Sequence, residues 1–123
     1  MVAFRYPGGY PKEGIHQMPE VDQTTFAAAH RDGAVVVDVR EPFEYADGHV
    51  PGAVLMPLRQ LASRAAELPR DVLVYVICAS GNRSLSAAEY LTATGVDARS
   101  VAGGTGAWLR AGRPVVRGTR AAA

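Results

Sequence analysis

Short apolar runs alternate along the chain with segments whose apolar residues recur at helical spacing. Apolar runs rich in β-branched residues are typical of strands that are buried on both faces of a parallel sheet. The predicted strands are a short edge strand that opens at Val21, and then residues 34–39, 54–56, 72–77 and 98–101. The predicted helices are one capped by Asp22 or Thr24 that ends near Arg31, and then residues 41–46, 58–68, 84–94 and 105–111. Strands that alternate with helices in this way predict an α/β domain with a parallel sheet.

The two ends of the chain differ from its middle. Residues 1–17 are rich in Tyr, Pro and Gly and lack periodicity, which predicts an N-terminal arm. The domain is expected at residues 18–116, and residues 117–123 are expected to form a C-terminal tail, part of an exposed stretch that begins at Pro114. The chain of 123 residues is long enough for one domain whose core needs neither a disulfide nor a metal.

Composition and charge exclude several classes of function. The net charge of +1 gives no electrostatic footprint for nucleic acid or for an anionic membrane surface. The longest apolar run, residues 72–79, is too short to cross a bilayer, and no apolar signal segment opens the sequence. The single cysteine excludes an internal disulfide and a multi-cysteine metal site. A free thiol fits a reducing compartment, so the cytoplasm is the expected location.

That one cysteine, Cys78, stands where the 72–77 strand ends and is the candidate nucleophile. Ligands of parallel α/β sheets collect at the carboxyl ends of strands. The loop after Cys78 consists of Ala79, Ser80, Gly81, Asn82 and Arg83. Its backbone N–H groups, at the start of a helix, are expected to form an anion-binding nest that favours the thiolate. Arg83 is expected to bind an oxyanion in bidentate fashion, and Ser84 to cap the helix.

A structural interpretation of Cys78 competes with this one. Free cysteines are among the most buried residues and usually pack as small hydrophobes. The loop argues against that reading, because an apolar core has no need of a Gly-containing turn that leads into a helix. The sequence therefore favours a reactive thiol, with the buried structural cysteine as the alternative.

Five segments in order resemble the single-domain rhodaneses, a family of sulfurtransferases. The resemblance covers residues 19–115, and the order and spacing of the segments make it specific, although each alone is weak. The segments are 35–45 around Asp-Val-Arg, 48–53 (Gly-His-Val-Pro-Gly-Ala), the loop 78–84, Gly103-Gly104 with Trp108, and 111–115.

The resemblance implies a fold and a mechanism. The expected fold is a three-layer α/β/α domain with a central, mostly parallel, five-stranded sheet. Cys78 would take sulfane sulfur from thiosulfate, a persulfide or a polysulfide, and the persulfide would be stabilised by the backbone N–H groups of residues 79–83. The acceptor would be cyanide in vitro or a thiol in the cell, with a specific protein acceptor as a further option. No metal and no organic cofactor are implied, and the chain is expected to be a monomer or a weak homodimer.

The length and charge of the loop refine the expected activity. Four residues separate Cys78 from Arg83, whereas related phosphatases and arsenate reductases have a longer loop that fits a tetrahedral oxyanion. The shorter loop favours sulfur over phosphate. Arg83 is the only charged residue in the loop, which leaves the donor open between thiosulfate and persulfides. A rhodanese-like binding or regulatory module without turnover is the alternative function.

The charged residues outside the loop are interpreted as structural. Asp38 and Arg40 follow a buried strand and are expected to form an ion pair that anchors neighbouring loops. His49 is expected to orient its own loop rather than to act as a base, because the chemistry starts from a thiolate. The acidic side chains of the next short helix are expected to form a solvated face; they are Glu41, Glu44 and Asp47.

Overall fold

Five short strands form a single parallel sheet, in which the first strand of the chain is followed across the sheet by the fifth, the fourth, the second and the third. The structure is a computed structural model that describes residues 19–122, so the predicted arm at residues 1–17 lies outside the described residues. The strands are β1 Glu20–Val21, β2 Val35–Asp38, β3 Val54–Leu55, β4 Val74–Ile77 and β5 Ala98–Val101. The predicted α/β class and the five-stranded sheet are confirmed.

The helices lie between the strands, as the alternation predicts. They are α1 Gln23–Arg31, α2 Pro42–Asp47, α3 Leu61–Arg64, α4 Asn82–Ala93 and α5 Gly104–Arg110. Within residues 19–122, no helix combines the length and the apolar character needed to cross a membrane.

The single helix predicted over residues 58–68 is wrong. The four-residue α3 is flanked there by two 3-10 turns, Leu58–Gln60 and Ala65–Glu67. Leu61 and Ala65 are buried, as the apolar repeat requires. A spacing of three residues also keeps side chains on one face of a 3-10 turn, so the pattern alone does not distinguish the two kinds of helix.

Strand β4 lies at the centre of three layers. Its alternating side chains point to opposite faces of the sheet. Val74 and Val76 pack with Cys78 into the cluster covered by α3 and α4, whereas Tyr75 and Ile77 pack under α1, α2 and α5. Neighbouring strands β2 and β5 pair with β4 on either side. Cys78 therefore stands at the carboxyl end of the most enclosed strand.

The ion pair expected between Asp38 and Arg40 is present and structural. Arg40 Nη2 lies 2.8 Å from Asp38 Oδ2, and both side chains are buried. The same Nη2 donates to the carbonyl oxygen of Gly48 at 2.8 Å. The pair thus anchors the loop that follows α2 to the end of β2.

His49 orients its loop, as expected, and also holds the C-terminal segment. Its ring stacks on Tyr45 with centroids 3.6 Å apart, and Nδ1 lies 2.8 Å from the Tyr45 carbonyl oxygen. Its Nε2 lies 2.7 Å from the carbonyl oxygen of Arg120. The backbone of His49 also forms an antiparallel bridge with Val116. The segment after Pro114 stays partly exposed, but these contacts fasten it to the domain.

Candidate active site

The sulfur atom of Cys78 lies beneath a tight turn of backbone. The Gly81 N–H donates to Sγ at 3.1 Å, and the Ser84 N–H donates to it at 3.3 Å. The residue is 1% exposed, so its sulfur is shielded from solvent. Converging N–H groups of this kind form an anion-binding concavity. Of the two N–H groups that converge on the sulfur, that of Gly81 belongs to the predicted nest and that of Ser84 does not, and anion binding by residues 79–83 stays a prediction.

Gly81 allows this turn and moves the start of helix α4. Its φ of +107° lies in the left-handed region, and a Cβ there would meet the Gly103 nitrogen at 3.2 Å. The helix begins at Asn82 with Gly81 as its N-cap, so the prediction that Ser84 caps the helix is wrong. Because the cap residue has no side chain, the first N–H groups of the helix remain free for another acceptor.

Hydrogen bonds stabilise the thiolate of Cys78. Burial raises the pKa of the thiol, but hydrogen bonds from the Ser84 hydroxyl and from the N–H groups of Ser84, Gly81 and Ser80 outweigh it. The pKa of Cys78 consequently lies below its ordinary value. The hydrogen-bond donors that lower it are neutral, which agrees with thiolate stabilisation at a helix N-terminus.

Ser100, which the sequence analysis does not single out, completes a chain of hydroxyl groups behind Cys78. Ser84 Oγ lies 3.3 Å from Cys78 Sγ and 2.8 Å from Ser100 Oγ. Both serines are fully buried. The thiol donates to Ser84 Oγ, and in the thiolate state the hydroxyl of Ser84 donates to sulfur instead. The signal in the sequence is a small polar residue, Ser100, that shares one face of strand β5 with Ala98.

The Gly-Gly segment before α5 supports the loop from the other side. The Thr105 N–H donates to the Cys78 carbonyl oxygen at 2.8 Å, and the Gly106 N–H donates to that of Ala79 at 3.0 Å. A Cβ at Gly104 would overlap the Cys78 carbonyl oxygen and would lie 2.7 Å from the Ala79 carbonyl carbon. A glycine is therefore required at residue 104, because two backbones touch there.

Arg83 binds a carboxylate in this structure. Its Nη1 and Nη2 lie 2.8 and 2.9 Å from the two carboxylate oxygens of Glu44. The prediction that Glu44 belongs to a solvated face is wrong, since its side chain is only 22% exposed. The hydrogen bonds from Arg83 lower the pKa of Glu44 to about 2. Contact between Arg83 and an oxyanion of the donor stays a prediction.

The remaining loop residues lie on the outside of the turn. Ser80 and Asn82 are exposed, and Ala79 is partly buried. Residues 19–122 hold no group of three or more His, Cys, Asp or Glu side chains arranged to bind a metal ion. The loop places hydrogen-bond donors from Gly81 and Ser84 around one sulfur atom.

Comparisons with protein families, curated proteins and solved structures all find rhodanese-like proteins or sulfurtransferases. The model of the rhodanese-like domain family matches residues 22–111. A protein of Allochromatium vinosum named sulfurtransferase is 35% identical over 100 residues, which cover 79% of this chain and 94% of that protein. A crystal structure of a rhodanese-related protein from Thermoplasma volcanium superposes with a TM-score of 0.74 at 35% identity, covering 79% of this chain and 96% of that one. A crystal structure of a rhodanese-like domain protein from Staphylococcus aureus superposes with a TM-score of 0.69 at 32% identity, covering 72% of this chain and 89% of that one.

Proposed function

Because this chain belongs to the rhodanese-like domain family, we propose that it is a sulfurtransferase in which Cys78 carries sulfane sulfur as a persulfide. The observation that supports the proposal is the position of Sγ, toward which the N–H groups of Gly81 and Ser84 point. Preorganised donors of this kind stabilise a sulfur anion without the reorganisation that water would need. They serve the thiolate before transfer and the persulfide after it.

The reaction proceeds in two displacements at sulfur. The Cys78 thiolate attacks the outer sulfur of the donor, which is thiosulfate, a persulfide or a polysulfide. A new S–S bond forms to Sγ while the donor's S–S bond breaks, and its electron pair leaves with sulfite or with a thiolate. The acceptor, cyanide in vitro or a thiolate in the cell, then attacks the outer sulfur of the persulfide and releases the Cys78 thiolate. The charges balance, and neither displacement needs an external oxidant.

The size of the loop supports sulfur over phosphate as the transferred group. Four residues separate Cys78 from Arg83, and the turn brings the Gly81 N–H to 3.1 Å from sulfur. The Nη1 and Nη2 atoms of Arg83 are paired with Glu44, so this fork is not free to bind a phosphoryl group in the structure described. A single outer sulfur atom needs less space and fewer donors than a tetrahedral oxyanion.

We also propose a cytoplasmic location and a small thiol as the cellular acceptor. A lone reactive thiol persists where disulfides are kept reduced, and such compartments supply thiol acceptors. A specific protein acceptor would use the same two displacements. The chain is proposed to act as a monomer or a weak homodimer.

A cyanolysis assay tests this proposal. The chain is supplied with cyanide and with either thiosulfate or an alkyl persulfide, and thiocyanate is measured. We expect turnover with at least one donor, complete loss in Cys78→Ser, and little change in Ser86→Ala, an exposed serine of the same helix. If neither donor gives thiocyanate, the chain is instead a non-catalytic binding or regulatory module.

A further inference from the structure

We infer that Glu44 sets the charge selectivity of the Cys78 site, so that it favours singly charged or uncharged sulfane donors over the thiosulfate dianion. The inference rests on the proposed function, because it names the donor class for the same thiol. Glu44 acts through Arg83 and is therefore a positioning residue. Its position depends on contacts on both sides of the carboxylate.

The first contact is the bidentate pair with Arg83. Both nitrogens at the end of the guanidinium group are occupied, at 2.8 and 2.9 Å from the two oxygens of Glu44. Two parallel N–H···O bonds fix the plane of the guanidinium group as well as its charge. The fork formed by Nη1 and Nη2 of Arg83 is therefore occupied by Glu44 in this arrangement.

The second contact holds Glu44 in place from the helix side. Oxygen Oε1 of Glu44 accepts a hydrogen bond from the Glu41 N–H at 3.0 Å, as part of a capping box at the start of α2. Helix α2 follows β2, which pairs with β4 along its whole length. This register brings the start of α2 next to the loop after Cys78. The carboxylate is thus positioned before any donor arrives.

Two other arginines near the start of α2 are matched by carboxylates. Arg40 is paired with the buried Asp38, and Arg59 with Glu41 at 3.1 Å. The groups that donate hydrogen bonds to the thiolate of Cys78 are themselves neutral. The charge of Arg83 does reach the sulfur: the pKa of Arg83 is raised mainly by its hydrogen bonds with Glu44, and the charge on Cys78 adds to this. Removing the carboxylate would therefore give the site an uncompensated positive charge.

The charge selectivity is tested with four forms of the chain that differ in the ion pair between Glu44 and Arg83. The charges of residues 44 and 83 sum to zero in the wild type, +1 in Glu44→Gln and −1 in Arg83→Gln. The double variant returns the sum to zero. Asp97→Asn is the matched control, because it removes the same charge from another ion pair, that with Arg99, and Asp97 lies at the amino end of β4 whereas Cys78 lies at its carboxyl end.

The probes are two donors of nearly equal size. Thiosulfate is a dianion, whereas methanethiosulfonate, in which a methyl group replaces one oxygen, is a monoanion and releases methanesulfinate on attack. The ratio of kcat/KM for thiosulfate to that for methanethiosulfonate cancels effects on the thiolate that the two donors share. We expect the ratio to rise about fivefold or more in Glu44→Gln, since one charge near a solvated site contributes about 1 kcal/mol. It should fall in Arg83→Gln and return to the wild-type value in the double variant.

Alkylation of Cys78 makes the test independent of sulfur transfer. Iodoacetate is an anion and iodoacetamide is neutral, and the chain has no other cysteine to react. The rate constant for iodoacetate divided by that for iodoacetamide should rise in Glu44→Gln, fall in Arg83→Gln and equal the wild-type value in the double variant. Raising the ionic strength from about 0.01 M to about 0.5 M should reduce the differences, because screening then acts over a few ångströms.

The outcomes separate the inference from the proposed function. Unchanged ratios in Glu44→Gln, or an equal change in Asp97→Asn, would overturn the role of Glu44. A ratio that stays shifted in the double variant would also overturn it, because the effect would then not be one of charge. If no variant transfers sulfur, the proposed function fails, and the alkylation ratios still decide the charge selectivity.

Discussion

Replacing Ser84 by Ala removes the only side chain that hydrogen bonds to the Cys78 sulfur among residues 19–122. The change keeps the size of a buried residue and deletes a hydroxyl that lies 3.3 Å from Sγ. A hydrogen bond to a charged group contributes roughly 1.5–3 kcal/mol, and the long distance argues for about 1.5 kcal/mol here. That loss makes the thiolate about tenfold less populated at a pH below its midpoint. The pKa of Cys78 should rise, because the remaining N–H donors no longer outweigh burial to the same extent.

The assay is the pH dependence of alkylation by iodoacetamide, which reports Cys78 alone because the chain has one cysteine. The profile of Ser84→Ala should move to higher pH, whereas that of Ser86→Ala should coincide with the wild type. Stability should fall as well, by about 1–3 kcal/mol, because Ser100 Oγ loses its partner in a buried site. Adding Ser100→Ala should recover part of that loss without restoring the profile. An unchanged alkylation profile in Ser84→Ala would refute the assignment of its hydroxyl to the thiolate.

Three further predictions concern the support, the charge and the selectivity of the site. Gly104→Ala should lower the free energy of unfolding by about 2–4 kcal/mol and abolish sulfur transfer, because the residue has a left-handed backbone and its new Cβ would overlap the Cys78 carbonyl oxygen. Gly33→Ala is the control: its φ is also positive but the space around it is open, so it should lose only the free energy of the backbone strain. Chemical denaturation measures both losses. The pairing with Arg83 holds the pKa of Glu44 at about 2 instead of 4.5, so its stabilisation is complete above pH 4.5 and is lost as the pH falls towards 2. The difference in unfolding free energy between the wild type and Glu44→Gln should shrink over that window, and a difference that grows would contradict the pairing. The chain should release no phosphate from an aryl phosphate, and release that Cys78→Ser abolishes would argue for a phosphatase.

The sequence predicts those features that depend on local patterns. The apolar run before Cys78 predicts β4. The Gly-containing turn that follows this run predicts that the thiol lies at the carboxyl end of the strand. Pro42 predicts the start of α2, where it occupies the first turn. These inferences succeed because strand burial, proline geometry and turns each depend on neighbouring residues.

Other features depend on partners that are distant in sequence. The sequence predicts a solvated Glu44 because its partner, Arg83, lies 39 positions away, and no neighbouring residue shows that the two side chains meet. Ser84 was expected as a cap, since capping is the usual role of a serine near a helix start, but the left-handed Gly81 moves that start. Ser100 needs the pairing of β4 with β5 to come near Cys78. Tertiary pairing, rather than local preference, assigns these roles.

The central claim is that Cys78 becomes a persulfide, and mass spectrometry of the intact chain tests it most directly. After incubation with thiosulfate or an alkyl persulfide and no acceptor, the mass should rise by that of one sulfur atom. The increase should be absent in Cys78→Ser, and cyanide should remove it while releasing an equal amount of thiocyanate. A chain that gains no sulfur from either donor, or that gains it equally in Cys78→Ser, would contradict the account.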